Sequence, residues 1–200
     1  MIKNVIFDFG QVLVHFEPEY MVRCYVNEEA DVKLLSNVIF DRLYWDRLDL
    51  GTITDDETIS LCRERLPKRL WDVAEKIHRN WIYNIPEIEG MSDLIEYIKK
   101  EYGVHVYVLS NISHYFADHS HEVDILKHSD GSVFSARIGI TKPDHRIYDY
   151  LCKKFGITPS EAIFVDDSEK NINSAREFGL QGYLFDGDAK KLKEYLSQAL

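Results

Sequence analysis

The sequence predicts an α/β fold in which a doubly wound parallel sheet carries a helical insert after its first strand. Four short apolar runs rich in Val, Ile, Phe and Tyr are typical of fully buried strands, and each lies beside a helical pattern. Three of those helices end in an aromatic residue followed by Gly, after which strand-like sequence resumes. Parallel strands joined by helical crossovers explain this alternation.

The strands and helices of the sheet follow in chain order. We expect buried strands over residues 5–7, 104–109, 162–165 and 183–185. Apolar residues at helical spacing predict amphipathic helices over residues 94–102, 147–155, 172–178 and 192–199. The glycines expected to end the first three of these helices are Gly103, Gly156 and Gly179.

Residues 16–87 interrupt the alternation, because they contain no buried-strand run while their helical periodicity is strong. A capping box at residues 54–57 begins one helix, and Gly51 ends the helix before it. One face of a further helix carries Leu70, Val73, Ala74, Ile77 and Trp81. We therefore predict a core formed by residues 1–15 and 88–200, and a helical domain formed by residues 16–87.

Length and composition indicate an ordered globular protein whose main ligand is not nucleic acid. The 200 residues are enough for one domain with a modest insert, and a content of 45% hydrophobic and 29% charged residues excludes a disordered chain. With 24 Lys and Arg against 34 Asp and Glu, the net charge is −10. A polyanion would be repelled on average, which disfavours nucleic acid as the main ligand.

The cysteines and the hydropathy pattern predict a cytoplasmic protein. Cys24, Cys62 and Cys152 form no CxxC pair or disulfide framework, and we interpret them as buried thiols. The apolar runs at the N-terminus are too short for a signal peptide, and no stretch approaches the roughly 18 apolar residues of a membrane span. Nothing in the sequence favours a monomer over a dimer.

Polar residues gather at the positions where an open parallel sheet binds ligands, the carboxyl ends of its strands. The residues that directly follow predicted strands or open a helix are Asp8, Ser110, Asn111, Lys142, Asp166 and Asp167. Singly, each has an ordinary explanation as a helix cap or a solvated loop residue. Together they bring three acids, a hydroxyl, an amide and an ammonium group to one edge, which predicts a binding site.

The chemistry of this set favours a divalent cation and a phosphorylated ligand. Neighbouring carboxylates repel one another, and a hard cation with oxygen ligands keeps them ionised. Mg²⁺ is the expected metal, because it binds through one or two carboxylates, keeps waters and bridges to phosphate. Lys142 would add positive charge, and Ser110 and Asn111 would donate hydrogen bonds to phosphoryl oxygens. We therefore expect a small phosphorylated metabolite as the partner.

Four ordered motifs resemble those of the haloacid dehalogenase superfamily, and the resemblance covers nearly the whole chain. They are VIFDFGQV around Asp8, Ser110 with Asn111, Lys142-Pro143-Asp144, and FVDDS around Asp166 and Asp167 with Asn171. The resemblance implies a Rossmann-like core. It also implies a mobile helical cap, since one large subgroup carries its cap between the first and second motifs.

The resemblance further implies a role for each site residue. Asp8 would be the nucleophile that forms an aspartyl-phosphate. Ser110 and Asn111 would hold the phosphoryl group, and Lys142 would stabilise the nucleophile and the transferring charge. The implied activity is that of a hydrolase acting on phosphoric monoesters.

The same family implies the metal ligands. Asp167 would bind Mg²⁺ together with the Asp8 carboxylate and the Gly10 carbonyl, and Asp166 would be a nearby or water-mediated ligand. The dehalogenase branch displaces halide from carbon without a metal. The Asp166–Asp167 pair disfavours that activity, because two carboxylates beside Asp8 would oppose an anionic haloacid.

The chain departs from the family's phosphatases at Gly10. Most of those enzymes carry a second Asp there, which protonates the leaving group and later activates water, and such help is worth about 10²- to 10⁴-fold in rate. Three explanations remain open: a substrate that needs little protonation, another acid such as His15, or a phosphometabolite-binding protein with little turnover. We favour the first, because an anomeric sugar phosphate leaves as an acidic hemiacetal oxygen. The Asp-x-Gly motif and residues 45–56 also resemble bacterial sugar 1-phosphate phosphatases.

Two other motifs and the aromatic residues of the insert have simpler explanations. Residues 8–10 spell the Asp-Phe-Gly motif of protein kinases, but the Gly-rich and His-Arg-Asp loops of a kinase are absent. A cluster of histidines fits no zinc-ligand spacing and is interpreted as a polar surface segment: His114, His119, His121 and His128. Most aromatic residues of the insert are assigned to its own core, and Tyr44 and Trp45 are predicted to face the cleft.

Overall fold

An all-parallel sheet with the strand order β3-β2-β1-β4-β5 forms the centre of the structure, a computed structural model that describes residues 1–200. The strands are β1 (Asn4–Phe7), β2 (His105–Ser110), β3 (Gly131–Phe134), β4 (Ala162–Asp166) and β5 (Gln181–Leu184). Phe7 pairs with Val108 on one side and with Val165 on the other. The carboxyl ends of β1, β2 and β4 therefore lie side by side, and the predicted α/β fold with a doubly wound sheet is confirmed.

The two outer strands differ from the prediction. Strand β3 was missed because its sequence, Gly-Ser-Val-Phe, contains only two apolar residues. Gly131 fits there because the ring of Phe155 covers it and a Cβ would lie 2.6 Å from that ring. The prediction that residues 183–185 are fully buried was wrong. Strand β5 is an edge strand, and Leu184 is 46% exposed.

Helices cover both faces of the sheet. Those of the core are α6 (Met91–Tyr102), α7 (His114–His119), α8 (His145–Phe155), α9 (Glu169–Phe178) and α10 (Ala189–Ala199). Alternate residues of each strand point to opposite faces. On one face Val5 and Phe7 share a cluster with apolar residues of α6 and α10, and on the other Ile6 packs with α8 and α9. The glycines predicted to end α6, α8 and α9 all adopt a left-handed conformation, as expected.

Five helices lie between β1 and α6. They are α1 (Pro18–Arg23), α2 (Glu29–Ile39), α3 (Arg42–Asp49), α4 (Asp55–Arg65) and α5 (Trp71–Asn80). The predicted capping box begins α4: the Thr54 hydroxyl accepts from the Glu57 N–H, and the Glu57 carboxylate accepts from the Thr54 N–H. Buried side chains from these helices join the apolar cluster on one face of the sheet. The helical segment therefore shares one continuous apolar core with the sheet.

The structure also shows which cysteines are buried and how apolar the helices are. Cys62 and Cys152 are buried as predicted, but Cys24 is exposed. It follows the short helix α1, whose buried face consists of Met21 and Val22. No helix in the structure combines the length and the apolar character needed to cross a membrane.

Candidate active site

A buried lysine joins two carboxylates at the carboxyl edge of the sheet. Lys142 Nζ lies 2.7 Å from Asp8 Oδ1 and 2.7 Å from Asp166 Oδ2. Asp8 follows β1 and Asp166 ends β4, so the pairing of these two neighbouring strands sets the two carboxylates beside each other. The side chains of Lys142 and Asp166 are at most 1% exposed. Buried charges are tolerated when they are paired and hydrogen-bonded, as these are.

The Asp166 carboxylate is surrounded by fixed donors. Its oxygens accept hydrogen bonds from Lys142 Nζ, from the Ser168 N–H and from Asn171 Nδ2. All of these donors belong to the protein, and Asp166 does not line the cavity described below. Its carboxylate therefore orients the ammonium group of Lys142. Asp167, the next residue, is exposed, and its side chain accepts no hydrogen bond.

Ser110 and Asn111 follow β2 and differ in their hydrogen bonding. Asn111 Oδ1 accepts from the Lys142 N–H at 2.7 Å, and Asn111 Nδ2 donates to the Lys142 carbonyl at 3.0 Å. The Asn111 side chain thus holds the backbone of Lys142 next to the cis peptide bond between Lys142 and Pro143. The Ser110 hydroxyl has only a 3.5 Å contact with the Asn111 carbonyl. It is free to donate to a ligand.

Burial and charge set the protonation of this centre. Burial raises the pKa of Asp8 to about 7; Lys142 opposes this shift, and the negative charge of Asp166 adds to it. Burial alone would lower the pKa of Lys142, but the two carboxylates outweigh it and raise that pKa above its ordinary value. Lys142 therefore stays protonated. Additional positive charge would be needed to keep Asp8 fully ionised.

Oxygen atoms suited to a hard cation surround Asp8. Carboxylate oxygens of Asp8, Asp166 and Asp167 lie within 4.8 Å of one another. The oxygens of Asp166 already have donors, whereas Asp8 Oδ2, the Asp167 carboxylate and the Gly10 carbonyl have none. Carboxylate and carbonyl oxygens are the ligands that Mg²⁺ prefers. The donor set therefore fits this metal.

A cavity of about 390 Å³ opens above the charged centre. The sheet edge contributes Asp8, Ser110, Asn111 and Lys142 to its lining, and the helical segment contributes Phe16, Arg42, Trp45, Asp49 and Trp81. A volume near the lower end of the range of about 300 to 1,000 Å³ suits a small metabolite. One wall therefore carries the charged groups for a phosphate, and the other is largely aromatic.

The lining of the cavity can be compared with the residues predicted to face the cleft. Trp45 lines it as predicted, but the prediction for Tyr44 was wrong. Tyr44 is turned roughly 100° around the same helix, and its ring packs under the Arg65 guanidinium at 5.4 Å. His15, the residue suggested as an alternative acid, lies outside this cavity and 3.9 Å from Glu17.

Asp49 and Arg42 also line the cavity, and the sequence interpretation missed both as site residues. Their spacing from Trp45 in the sequence does indicate that they face the cleft. Arg42 precedes Trp45 by three residues and Asp49 follows it by four, so all three lie on one face of α3. Once Trp45 is assigned to the cleft, the other two belong there.

Comparison with known proteins identifies the family. The model of the haloacid dehalogenase-like hydrolase family matches residues 2–179, so the chain belongs to this family of hydrolases, as the four motifs predicted. It is 28% identical over 200 aligned residues to D-ribitol-5-phosphate phosphatase of Bacteroides thetaiotaomicron, covering 92% of this chain and 91% of that protein.

Solved structures share the fold. A haloacid dehalogenase family enzyme from B. thetaiotaomicron, crystallised with magnesium and inorganic phosphate, aligns with a TM-score of 0.73 and 22% identity over 96% of this chain and 99% of that one. A predicted HAD-like family hydrolase from Porphyromonas gingivalis aligns with a TM-score of 0.73 and 19% identity, covering 100% and 98% of the two chains. These matches confirm the Rossmann-like α/β core.

Proposed function

We propose that this protein is a Mg²⁺-dependent phosphatase that hydrolyses a small sugar or polyol phosphate through an aspartyl-phosphate on Asp8. The observation that carries the proposal is the state of the Asp8 carboxylate: Lys142 holds one oxygen at 2.7 Å, while the other accepts no hydrogen bond at the floor of a metabolite-sized cavity. A similar bacterial protein is named for D-ribitol-5-phosphate, and a structure with the same fold contains magnesium and phosphate.

The residues of the sheet edge divide the chemistry among them. The free oxygen of Asp8 attacks phosphorus, and the ammonium group of Lys142 offsets charge on the transferring group. The Ser110 hydroxyl donates to a phosphoryl oxygen. Asn111 acts on the phosphoryl group through Lys142, whose backbone its amide holds.

The metal would be held by Asp8, Asp167 and the Gly10 carbonyl, with Asp166 behind them and reaching it through water. When bound, Mg²⁺ supplies positive charge that offsets the carboxylates and the anionic phosphate. The fit rests on free oxygens: the Asp167 carboxylate and the Gly10 carbonyl have no donor, whereas Asp166 is occupied by Lys142 and its other donors.

Residues 16–87 would act as a cap over a core formed by residues 1–15 and 88–200. The support is the mixed lining of the cavity, in which α3 and the turn after α5 present side chains to the part of the substrate beyond its phosphate. Trp45 and Trp81 provide apolar surface for the carbon skeleton, and Arg42 provides positive charge at the entrance. Closure of the cap would exclude bulk water during phosphoryl transfer.

The position of the phosphate on the sugar depends on the leaving group. With Gly10 in place of an acid, an anomeric phosphate is favoured, because its hemiacetal oxygen leaves without much protonation. A 5-phosphate of ribitol, named for the similar bacterial enzyme, is instead an ester of a primary alcohol. Both kinds of ester therefore belong in the substrate panel.

Phosphate release from this panel, with Mg²⁺ and then with a chelator, tests the proposal. We expect Mg²⁺-dependent release that Asp8→Asn reduces by at least about 10³-fold, because the nucleophile is lost. The control Asp149→Asn, which removes an acid paired with Lys153 on the surface, should keep full activity. A folded wild type that releases no phosphate, yet is thermally stabilised by a sugar phosphate, would support the binding-protein alternative.

A further inference from the structure

We propose that Asp49 is the general acid and base of this enzyme and takes the place of the carboxylate missing at residue 10. This inference rests on the proposed phosphatase function and assigns a catalytic residue within it.

Asp49 lies in the wall of the cavity where a leaving group would be bound. It ends α3 and lines the same cavity as Asp8, and these two are the only carboxyl side chains in the lining. Asp49 is 6% exposed, and its carboxyl makes no hydrogen bond or ion pair. The neighbouring Arg42 is paired with Asp46 instead. A buried carboxyl without a partner is favoured in its neutral form, which is the form that donates a proton.

The backbone around Asp49 is fixed relative to the phosphate end of the site. The buried Ser135 hydroxyl donates to the Asp49 carbonyl and accepts from the Ile112 N–H at 2.8 Å. Ile112 directly follows Asn111, which holds the backbone of Lys142. One hydroxyl therefore ties the end of α3 to the loop that carries the phosphate-binding residues.

Gly51 allows this close approach. Its φ of +73° is left-handed, and a Cβ at this position would lie 2.7 Å from the Ala136 carbonyl and 2.9 Å from His114 Nε2. Only glycine fits without displacing α3 from the turn that contains Ser135. Gly51, which the sequence predicts to end this helix, thus helps to set the position of Asp49.

The electrostatic surroundings support a proton-transfer role. Burial raises the pKa of Asp49 to about 7; Arg42 opposes this shift, while Asp46 and Asp8 add to it. The charged and titratable groups around the end of α3 come from α3 itself, the sheet edge, α7 and the turn after β3: Arg42, Asp46, Asp8, Lys142, His114 and Arg137. A group poised near neutral pH serves as an acid in one step and as a base in the next.

Two other candidates are less suitable. Both oxygens of Asp166 accept hydrogen bonds from protein donors, and its carboxylate does not line the cavity. His15 lies outside the cavity. Asp49 is the one carboxyl residue besides Asp8 that lines the cavity.

The two chemical steps then balance. Asp8 Oδ2 attacks phosphorus and the bond from phosphorus to the ester oxygen breaks, leaving its electron pair on that oxygen, which takes the proton of Asp49 and departs as the alcohol. Asp49 is left as a carboxylate. It next takes a proton from water as the water oxygen attacks phosphorus and the bond between Asp8 and phosphorus breaks. Inorganic phosphate leaves, Asp8 is again a carboxylate and Asp49 is again protonated.

This assignment changes the expected substrates. An enzyme with an acid at Asp49 hydrolyses esters of ordinary alcohols, including primary sugar and polyol phosphates, and has no need of an anomeric leaving group. The preference for anomeric phosphates inferred from Gly10 should therefore be weak.

The test compares the first turnover of two esters in the presence of Mg²⁺. One is a primary polyol phosphate, whose alkoxide needs a proton, and the other is 4-nitrophenyl phosphate, whose phenolate leaves without one. For Asp49→Asn we expect the first-turnover rate to fall by about 10²- to 10⁴-fold on the polyol phosphate and by less than about tenfold on the aryl phosphate. The control Asp46→Asn removes a charge from the same helix and should change both rates by less than about fivefold.

The pH dependence of the wild type gives a second readout. Both esters need ionised Asp8, so the ratio of the alkyl to the aryl rate cancels its titration. We expect this ratio to fall as pH rises and Asp49 loses its proton, and to become independent of pH in Asp49→Asn. Equal loss on both esters, or no loss on either, would overturn the assignment while leaving the phosphatase function intact. A wild type without any turnover would overturn both.

Discussion

Asp166 and Asp49 are both buried carboxyl groups close to the same cavity, yet they differ in their hydrogen bonding. Asp166, at the sheet edge, receives hydrogen bonds from Lys142, Ser168 and Asn171. Asp49 lies on the wall of the cavity that the helical segment forms, here called the helical wall, and its carboxyl receives no hydrogen bond. The donors around Asp166 satisfy its carboxylate oxygens, whereas the Asp49 carboxyl has no such partner and its burial raises its pKa. Hydrogen-bond donors, more than burial, therefore distinguish the two carboxyl groups.

The largest expected effect comes from removing the cation of the sheet edge. Lys142→Met leaves Asp8 and Asp166 as neighbouring buried carboxylates, and we expect a loss of about 3 to 5 kcal/mol in the free energy of unfolding at neutral pH. Urea unfolding measures this. The control Lys170→Met removes an exposed lysine from the rim of the same cavity and should cost less than about 0.5 kcal/mol. Equal stability of the two variants would show that the buried pairing contributes little.

A second substitution separates the helical wall from the sheet edge. Gly51 has a left-handed backbone, and in Gly51→Ala the new Cβ would clash with the Ala136 carbonyl in the turn after β3. We expect about 2 to 4 kcal/mol of destabilisation. Gly139→Ala is the matched control, because Gly139 has a similar φ of +64° with nothing within 4 Å of the added atom, and should cost about 1 kcal/mol. The difference between the variants reports on the seating of α3. A difference near zero would mean that α3 is not held there.

The last expected effect depends on pH and concerns the charge of Asp49. Its pKa is 3.8 in the unfolded chain and about 7 in the folded one, so unfolding between these pH values releases a proton and stability falls as pH rises. Asp49→Asn lacks this loss. Its stability relative to wild type should increase from about pH 4 to pH 7, by on the order of 3 kcal/mol, and stay constant above that range. Asp46→Asn should show no such trend in urea unfolding, and a flat difference for Asp49→Asn would mean that Asp49 is charged in the folded state.

The two regions also differ in how far the sequence predicts them. Asp8 and Asp166 follow or end buried strands, and adjacent parallel strands bring such residues together by a local rule. The same rule does not reach the contacts between these residues: the side-chain amide of Asn111 is hydrogen-bonded to the backbone of Lys142. That contact joins residues 31 positions apart and has no local signal in the sequence.

The helical wall follows no such rule. Its amphipathic helices and the capping box at Thr54 are visible in the sequence, but which residues face the sheet edge depends on how the segment packs. Tyr44 and Trp45 are adjacent aromatic residues, and only one lines the cavity. The contact from Ser135 that fixes Asp49 comes from the turn after β3, a strand that its own two apolar residues did not reveal.

The central claim is that Asp8 at the sheet edge is the nucleophile and that Asp49 on the helical wall carries the proton. Trapping the phosphorylated enzyme tests this claim most directly. Wild type and Asp49→Asn are quenched in acid during turnover of 4-nitrophenyl phosphate with Mg²⁺, and the phosphorylated peptide is identified and quantified by mass spectrometry. The account predicts phosphate on Asp8 in both proteins, with the higher occupancy in Asp49→Asn, because the second step loses its base while the first needs no acid. Phosphate on another residue, or equal occupancy in the two proteins, would contradict it.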